Sequence, residues 1–197
     1  MAHTPTPLQP LRRLRAERGG PLIWLKRDDM TGSVLSGNKV RKLEFIAAKA
    51  KSGGFTALIT CGGIQSNHCR ATAFVAAQLG LKCHLILRGE PTDKAMVDGN
   101  LLLNRLSGCS ISFHPADEYN AHLSDLFAAA ESRLQDQGFP ALKIPTGGSN
   151  GDGIWGYIAA SEELCSDFRH HNIQPGSLVV ATGSGGTQAG LIVGMSH

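Results

Sequence analysis

The chain is poor in everything that would place it among fibrous, disulfide-stapled or membrane-spanning proteins. No apolar run in its 197 residues approaches the ~18–20 positions that a membrane span needs. The five cysteines, Cys61, Cys69, Cys83, Cys109 and Cys165, are odd in number, widely spread and form no C-x-x-C pair. They are therefore expected as buried free thiols in a reducing compartment, with neither a disulfide frame nor a zinc site. Charge of one sign is also lacking, because 19 basic residues stand against 16 acidic ones, a net +3. Only Arg12, Arg13, Arg15 and Arg18 cluster, and no basic stripe is interleaved with aromatics, so nucleic acid is not an expected partner. That arginine cluster lacks the serine-rich, amphipathic length of a transit peptide and reads as a surface helix. A cytoplasmic location is expected, with organellar import left open.

Present instead are 42% hydrophobic and 18% charged residues, the balance of a globular chain long enough for a core. Short, apolar, β-branched runs recur at Thr56 to Thr60, Cys83 to Arg88, Ser110 to His114, Leu142 to Pro145 and Ser177 to Thr182. Between them, residues 67–80 and 156–171 carry Ala and Leu at helical spacing. Strand then helix, repeated, predicts a parallel sheet covered by helices on both faces, since each run is apolar throughout instead of alternating.

Glycine is abundant, 24 of 197 residues, and it gathers where strands should end, in "CGGIQSN", "TGGSNGDG" and "TGSGGTQAG". Open α/β sheets bind ligands beyond the carboxyl ends of their strands, so these are expected to be functional loops. "SLVVATGSGGTQAG" has the outline of a phosphate cradle, with bare N–H groups and a helix start facing an anion. It lacks the lysine of a P-loop, and Gln188 stands where a dinucleotide fingerprint needs its third glycine. A single phosphate monoester held by Gly183, Ser184, Gly185, Gly186 and Thr187 is what remains, against a plain strand-to-helix turn. In "CGGIQSNHCRATA", Ser66 and Asn67 fall at a second helix start, where a carboxylate would be favoured. His68 is expected as a satisfied helix residue and not a base.

Two anion sites without a metal suggest a phosphorylated cofactor, and pyridoxal phosphate needs a Schiff-base lysine besides its phosphate nest. Lys39 and Lys42 are the candidates. Lys39 follows the turn Ser36-Gly37-Asn38, whereas Lys42, with Arg41 and Glu44, has the spacing of a solvated face, so Lys39 is expected to carry the cofactor.

Taken in order, "KRDDMTG", "SGNKVRKLEF", "GGIQSNHCRATA", "PTGGSNGDGIWGY" and "ATGSGGTQAGL" resemble the D-cysteine desulfhydrase and 1-aminocyclopropane-1-carboxylate deaminase family of pyridoxal-phosphate enzymes. The resemblance covers the whole chain. It implies the two-lobed tryptophan-synthase-β-like architecture (fold type II), an α/β class with parallel open sheets. Residues 1–50 and 164–197 would belong to the larger cofactor domain and residues 51–163 to a smaller α/β domain. It implies Lys39 as the cofactor's lysine, Asn67 beside its 3-hydroxyl, Ser66 and Gln65 with Asn67 around the substrate, Ser66 with a catalytic role, and the Gly183 to Thr187 loop on the phosphate.

The substrate implied is a small amino acid. "QSNHCRATA" with "HLILR" looks most like the desulfhydrases, which eliminate thiolate from D-cysteine to give pyruvate, ammonia and hydrogen sulfide. The deaminase is the alternative, and a catalytically incomplete fragment or a nucleotide-binding module stands behind it. Family members are much longer, and their C-terminal portion supplies tyrosines and the partner of the pyridine nitrogen. The chain is thus expected to be a fragment of an enzyme that is a homodimer when full length.

Overall fold

A computed structural model describes residues 1–32, 36–90 and 97–196. A short antiparallel pair, β1 (Leu8–Pro10) and β2 (Trp24–Lys26), flanks α1 (Arg12–Arg18), in which no residue is buried, as expected for the arginine cluster. Helix α2 (Asn38–Ser52) follows. Then β3 (Ala57–Gly63), α3 (Asn67–Gln78), β4 (Lys82–Arg88), α4 (Gly99–Leu106), β5 (Ser110–His114), α5 (Ala116–Asp136) and β6 (Ala141–Ile144) build a parallel sheet in the order β5-β4-β3-β6. Helices α6 (Trp155–His170) and α7 (Gly186–Met195) complete the described chain. None of its helices is long and apolar enough to cross a membrane.

Both faces of the sheet are covered, which accounts for strands that are apolar throughout. Leu58, Leu85 and Leu87 point into one core with Val40, Leu43 and Ile46 of α2 and Cys69, Ala73 and Val75 of α3. Ile59, Cys61 and Ile86 point the other way, onto Ala130 and Leu134 of α5. Leu58, Ile59, Leu85, Ile86 and Leu87 are all fully buried, each worth about 1.5–3 kcal/mol of burial. Cys61, Cys69 and Cys83 are buried free thiols, while Cys109 and Cys165 are half-buried and also free.

The expected strand at Ser177 to Thr182 is not formed. That segment joins no ladder, and Val179 is 94% exposed. A buried parallel strand requires neighbours that satisfy its N–H and C=O groups, and no described strand lies beside this one. The run at Leu142 to Pro145 is also shifted: β6 ends at Ile144, because Pro145 has no N–H to give.

Strand order locates the functional end of the sheet. The chain leaves β3 through α3 to β4 and β5 on one side, then returns through α5 to β6 on the other side of β3. The connections therefore diverge between β3 and β6, and a crevice opens outside the carboxyl ends of those two strands, where open α/β sheets take their ligands.

Helix α2 is fixed above this crevice by a buried ionic network, and here a second expectation fails. Arg41 is not solvated but 4% exposed. Its Nη1 donates to Glu163 at 2.9 Å and its Nη2 to Asp28 at 2.9 Å and to the Thr6 hydroxyl at 3.0 Å. Lys26 joins Glu163 to Asp167, and the Tyr157 hydroxyl donates to Asp28 at 2.5 Å. Burial alone would raise the Glu163 carboxyl, but the hydrogen bonds from Arg41 and Lys26 outweigh it and hold its pKa at about 2. A carboxyl with a depressed folded pKa contributes stability above its unfolded value, and that contribution is lost as pH falls from about 4.5 towards 2. Replacing Arg41 with Ala would strand Asp28 and Glu163 in a low-dielectric site. The expected loss is about 3–5 kcal/mol, measured by urea unfolding at pH 7; a change under 1 kcal/mol would contradict the network's role.

Candidate active site

The start of α2 and the start of α7 meet across a small polar cavity of about 70 Å³, lined by Asn38, Lys39 and Lys42 on one side and residues 181–188 on the other. Drug-sized ligands occupy pockets of ~300 Å³ and more. This cavity is therefore a subsite for one small group. Asn38 Nδ2 donates to the Thr187 hydroxyl at 2.9 Å and latches the two helix starts together.

The glycine loop has the features of an anion cradle. Gly185 sits just before α7 with φ +83°, a left-handed conformation that favours glycine, and a Cβ there would meet nothing within 4 Å. Gly186 is buried in a different way. A Cβ on it would fall 2.5 Å from Ser149 Oγ and 2.7 Å from Lys42 Nζ. The Gly186 N–H donates to Ser149 Oγ at 3.2 Å, and the hydroxyls of Ser149 and Ser184 are 2.7 Å apart. Amides, hydroxyls and an ammonium converge, with no carboxylate among the described residues that line the cavity, which is the donor set a phosphate monoester requires.

Lys42 overturns the expectation of a solvated side chain most sharply, being 1% exposed. Its Nζ donates to the Gly147 carbonyl at 3.2 Å and Ser149 Oγ at 3.3 Å, in the loop that follows β6. Burial, reinforced by the charge on Lys39, lowers its pKa to about 8. Lys39, half-buried one helical turn earlier, also has its pKa lowered by burial, and its amine makes no hydrogen bond among the described residues. The signal that could have found Lys42 is its i+3 relation to Lys39, which puts both on one face of α2. Glu44, grouped with Lys42 in the solvated reading, is half-buried and pairs with the chain's amino group at 2.9 Å.

The second predicted loop lies at the end of β3. Ser66 is the N-cap of α3, its Oγ accepting from the Cys69 N–H at 3.2 Å, and Gln65 and Asn67 are exposed beside it. None of the three lines the small cavity. The loop is joined to the lysine's turn by Arg70, whose Nη2 donates to the Ser36 carbonyl at 2.8 Å. Asn100, which sequence reasoning missed, binds Gln65 and Asn67 directly.

His68 points away from that loop into the core. Thr60 gives its hydroxyl proton to the Ile144 carbonyl, so it must accept from His68 Nε2 at 2.8 Å. The ring is therefore the Nε2–H tautomer, neutral at pH 7, because burial and then the charges of Lys39 and Lys42 lower its pKa to about 3. Nδ1 has no partner among the described residues, so the ring is only half satisfied.

Comparison with known proteins identifies the chain's relatives. The family model described as pyridoxal-phosphate dependent enzyme matches residues 1–197. The chain is 44% identical over 203 residues to the mitochondrial bifunctional D-cysteine desulfhydrase/1-aminocyclopropane-1-carboxylate deaminase of Arabidopsis thaliana, covering 98% of this chain and 50% of that protein. It is 43% identical over 197 residues to the D-cysteine desulfhydrase of Serratia proteamaculans, covering 98% and 58%. The solved structure of an ACC deaminase homologue superposes with a TM-score of 0.84 at 35% identity, covering 99% of this chain and 57% of that one. The chain thus spans about half the length of the curated relatives it matches. With its parallel α/β architecture and a cradle whose donors suit a phosphate, the chain belongs to the pyridoxal-phosphate-dependent enzyme family.

Proposed function

We propose that this chain supplies the cofactor-carrying half of a D-cysteine desulfhydrase, which converts D-cysteine to pyruvate, ammonia and hydrogen sulfide. The observation that carries it is the convergence of two lysines with depressed pKa on the Gly183 to Thr187 loop. Bound pyridoxal phosphate supplies an electron sink for the electrons left when the substrate's α-proton departs.

The chain's own residues divide the remaining work. Lys39 would be the amine that bonds the cofactor, since its nitrogen makes no hydrogen bond among the described residues and burial favours the neutral, nucleophilic form. Lys42, Ser149 and the loop Gly183, Ser184, Gly185, Gly186 and Thr187 hold the phosphate. Asn67 would hold the cofactor's 3-oxygen. Gln65 and Ser66, with the free N–H groups at the start of α3, take the substrate carboxylate, and Ser66 reaches the reacting part of the substrate. Because the Ser66 hydroxyl accepts from Cys69 N–H, its own proton remains available to donate.

The division into residues 1–50 and 164–197 on one side and 51–163 on the other is part of this proposal, as are a homodimer for the full-length enzyme and a cytoplasmic location. The bifunctional name of the Arabidopsis relative supports a second reading, ring opening by a deaminase. D-cysteine and 1-aminocyclopropane-1-carboxylate assayed side by side distinguish the two.

The cradle is tested with two glycines of matched backbone. Gly185 (φ +83°) and Gly138 (φ +82°) both leave open space for a Cβ, so Val at either position carries similar strain. Gly185→Val alone is expected to weaken pyridoxal phosphate binding, by about tenfold or more, because its side chain would occupy the phosphate's space. Titration of the visible cofactor absorbance measures this, and equal affinity in the two variants would refute the cradle.

A further inference from the structure

The loop carrying Gln65 and Asn67 is held by groups whose hydrogen-bonding roles admit one solution. A guanidinium only donates, so the atom of Asn100 that Arg70 Nη1 meets at 3.2 Å is the carboxamide oxygen. A backbone carbonyl only accepts, so the atom of Asn100 lying 2.8 Å from the Gln65 carbonyl is the carboxamide nitrogen. Asn100 is thereby fixed at both ends. The same NH2 group lies 2.9 Å from the side chain of Asn67, and it can only donate there. Asn67 must turn its oxygen towards Asn100, which leaves its own NH2 directed away, without a hydrogen bond among the described residues.

The clamp has two further arms. The Asn100 N–H donates to Gln65 Oε1 at 2.7 Å, and Gln65 Nε2 donates to Asp98 Oδ1 at 3.2 Å, so Gln65 is held in one orientation as well. Arg70 meanwhile reaches the Ser36 carbonyl, three residues before Lys39. One guanidinium thus connects the turn before the lysine to the start of α4 and, through Asn100, to Asn67.

We propose that Asn100, gripped by Arg70, is a positioning residue that makes Asn67 present an NH2 donor, and not a carbonyl oxygen, to the ligand. The inference rests on the reading above that Asn67 faces the cofactor's 3-oxygen. A donor there stabilises the ionised oxygen, whereas an acceptor would favour the protonated one. Asn100 touches neither cofactor nor substrate in this assignment and acts through Asn67 alone.

Two variants separate orientation from scaffolding. In Asn100→Asp the carboxylate still accepts from Arg70, with added charge attraction, although its other oxygen now faces the Gln65 carbonyl that the Asn100 NH2 bonds at 2.8 Å. It cannot donate, and Asn67 then turns its NH2 towards Asp and presents its oxygen outward. Asn100→Ala removes the clamp without that reversal and leaves Asn67 free to turn either way. The expected order of pyridoxal phosphate affinity is wild type, then Asn100→Ala, then Asn100→Asp, with a loss of about tenfold or more for the last. The bound cofactor's absorbance should also move to shorter wavelength in Asn100→Asp, as its 3-oxygen becomes protonated. Loop displacement alone would weaken Asn100→Asp without moving the bound cofactor's absorbance, so an unshifted absorbance in that variant, or Asn100→Ala as the weaker binder, would overturn the proposal.

Side-chain amide NMR of the ligand-free chain provides an independent reading. The Asn67 NH2 protons should exchange rapidly with water in the wild type, then shift downfield and slow in Asn100→Asp; protection already present in the wild type would also overturn it. Borohydride reduction of the loaded wild-type chain keeps the two readings apart. Absence of any lysine adduct counts against the proposed function, while the NMR result still decides the orientation of Asn67.

Discussion

Borohydride treatment of the chain loaded with pyridoxal phosphate is expected to leave a pyridoxyl adduct on the peptide containing Lys39 and none on Lys42. Lys39→Ala should abolish the adduct, and Lys42→Ala should keep it while weakening loading. The two lysines differ in electrostatics and geometry. Lys42 Nζ is committed to the Gly147 carbonyl and Ser149 Oγ, next to the buried Gly186, the position proposed above for a phosphate counter-charge. Lys39 shares the cavity and makes no such bond among the described residues. Removing a charged hydrogen-bond partner from a phosphate costs about 1.5–3 kcal/mol, or roughly 10–150-fold in affinity.

The same assignment fixes a pH dependence. With the Lys42 pKa at about 8 in the free protein, phosphate binding above that pH requires uptake of a proton. Wild-type affinity should therefore fall as pH rises from 8, and the fall should flatten in Lys42→Ala. Mass mapping of the reduced chain reports the adduct directly, and one on Lys42 would reverse the two roles.

The reason sequence spacing favoured Lys39 was sound for helix geometry but incomplete for this fold. Apolar Val40, Leu43, Ile46 and Ala50 mark one buried stripe of α2, and a lysine beside that stripe reads as solvated. What buries Lys42 and Arg41 is not their own helix. It is the loop after β6 and the acidic groups of residue 28 and α6, more than a hundred residues away for Lys42 and for the Arg41–Glu163 pair. Asn100 was illegible for the same reason, since its partners lie 33 and 35 positions upstream.

Local rules did suffice where the partner was local. The helix start at Ser66 and Asn67, the helix opening after the glycine loop and the apolar strands at the sheet's centre were all visible in short windows. Residues 177–182 have the composition of a buried strand, yet composition carries no information about whether a neighbour is there to pair with it.

That unpaired segment bears on the last expected result. The chain on its own should release pyruvate and sulfide from D-cysteine slowly or not at all, whereas fusion to the second half of the Serratia relative should give activity abolished by Lys39→Ala. Val179 is 94% exposed, Leu178 43%, Ile192 63% and Val193 and Met195 40% each, an apolar surface on and beside the glycine loop. The region matched here covers 50% of the Arabidopsis relative and 58% of the Serratia one. Added polypeptide that pairs with residues 177–182 and covers α7 would fix the start of α7, exclude water from the cavity and sharpen the position of Lys39. A misplacement of about 1 Å at a reacting group can reduce a rate roughly a hundredfold. Exposed strand-like edges should also make the isolated chain prone to self-association, detectable by light scattering and relieved in the fusion. Turnover of D-cysteine by the isolated chain near the rate of the Serratia enzyme, and lost in Lys39→Ala, would show that the cradle and lysine pair are sufficient without that cover.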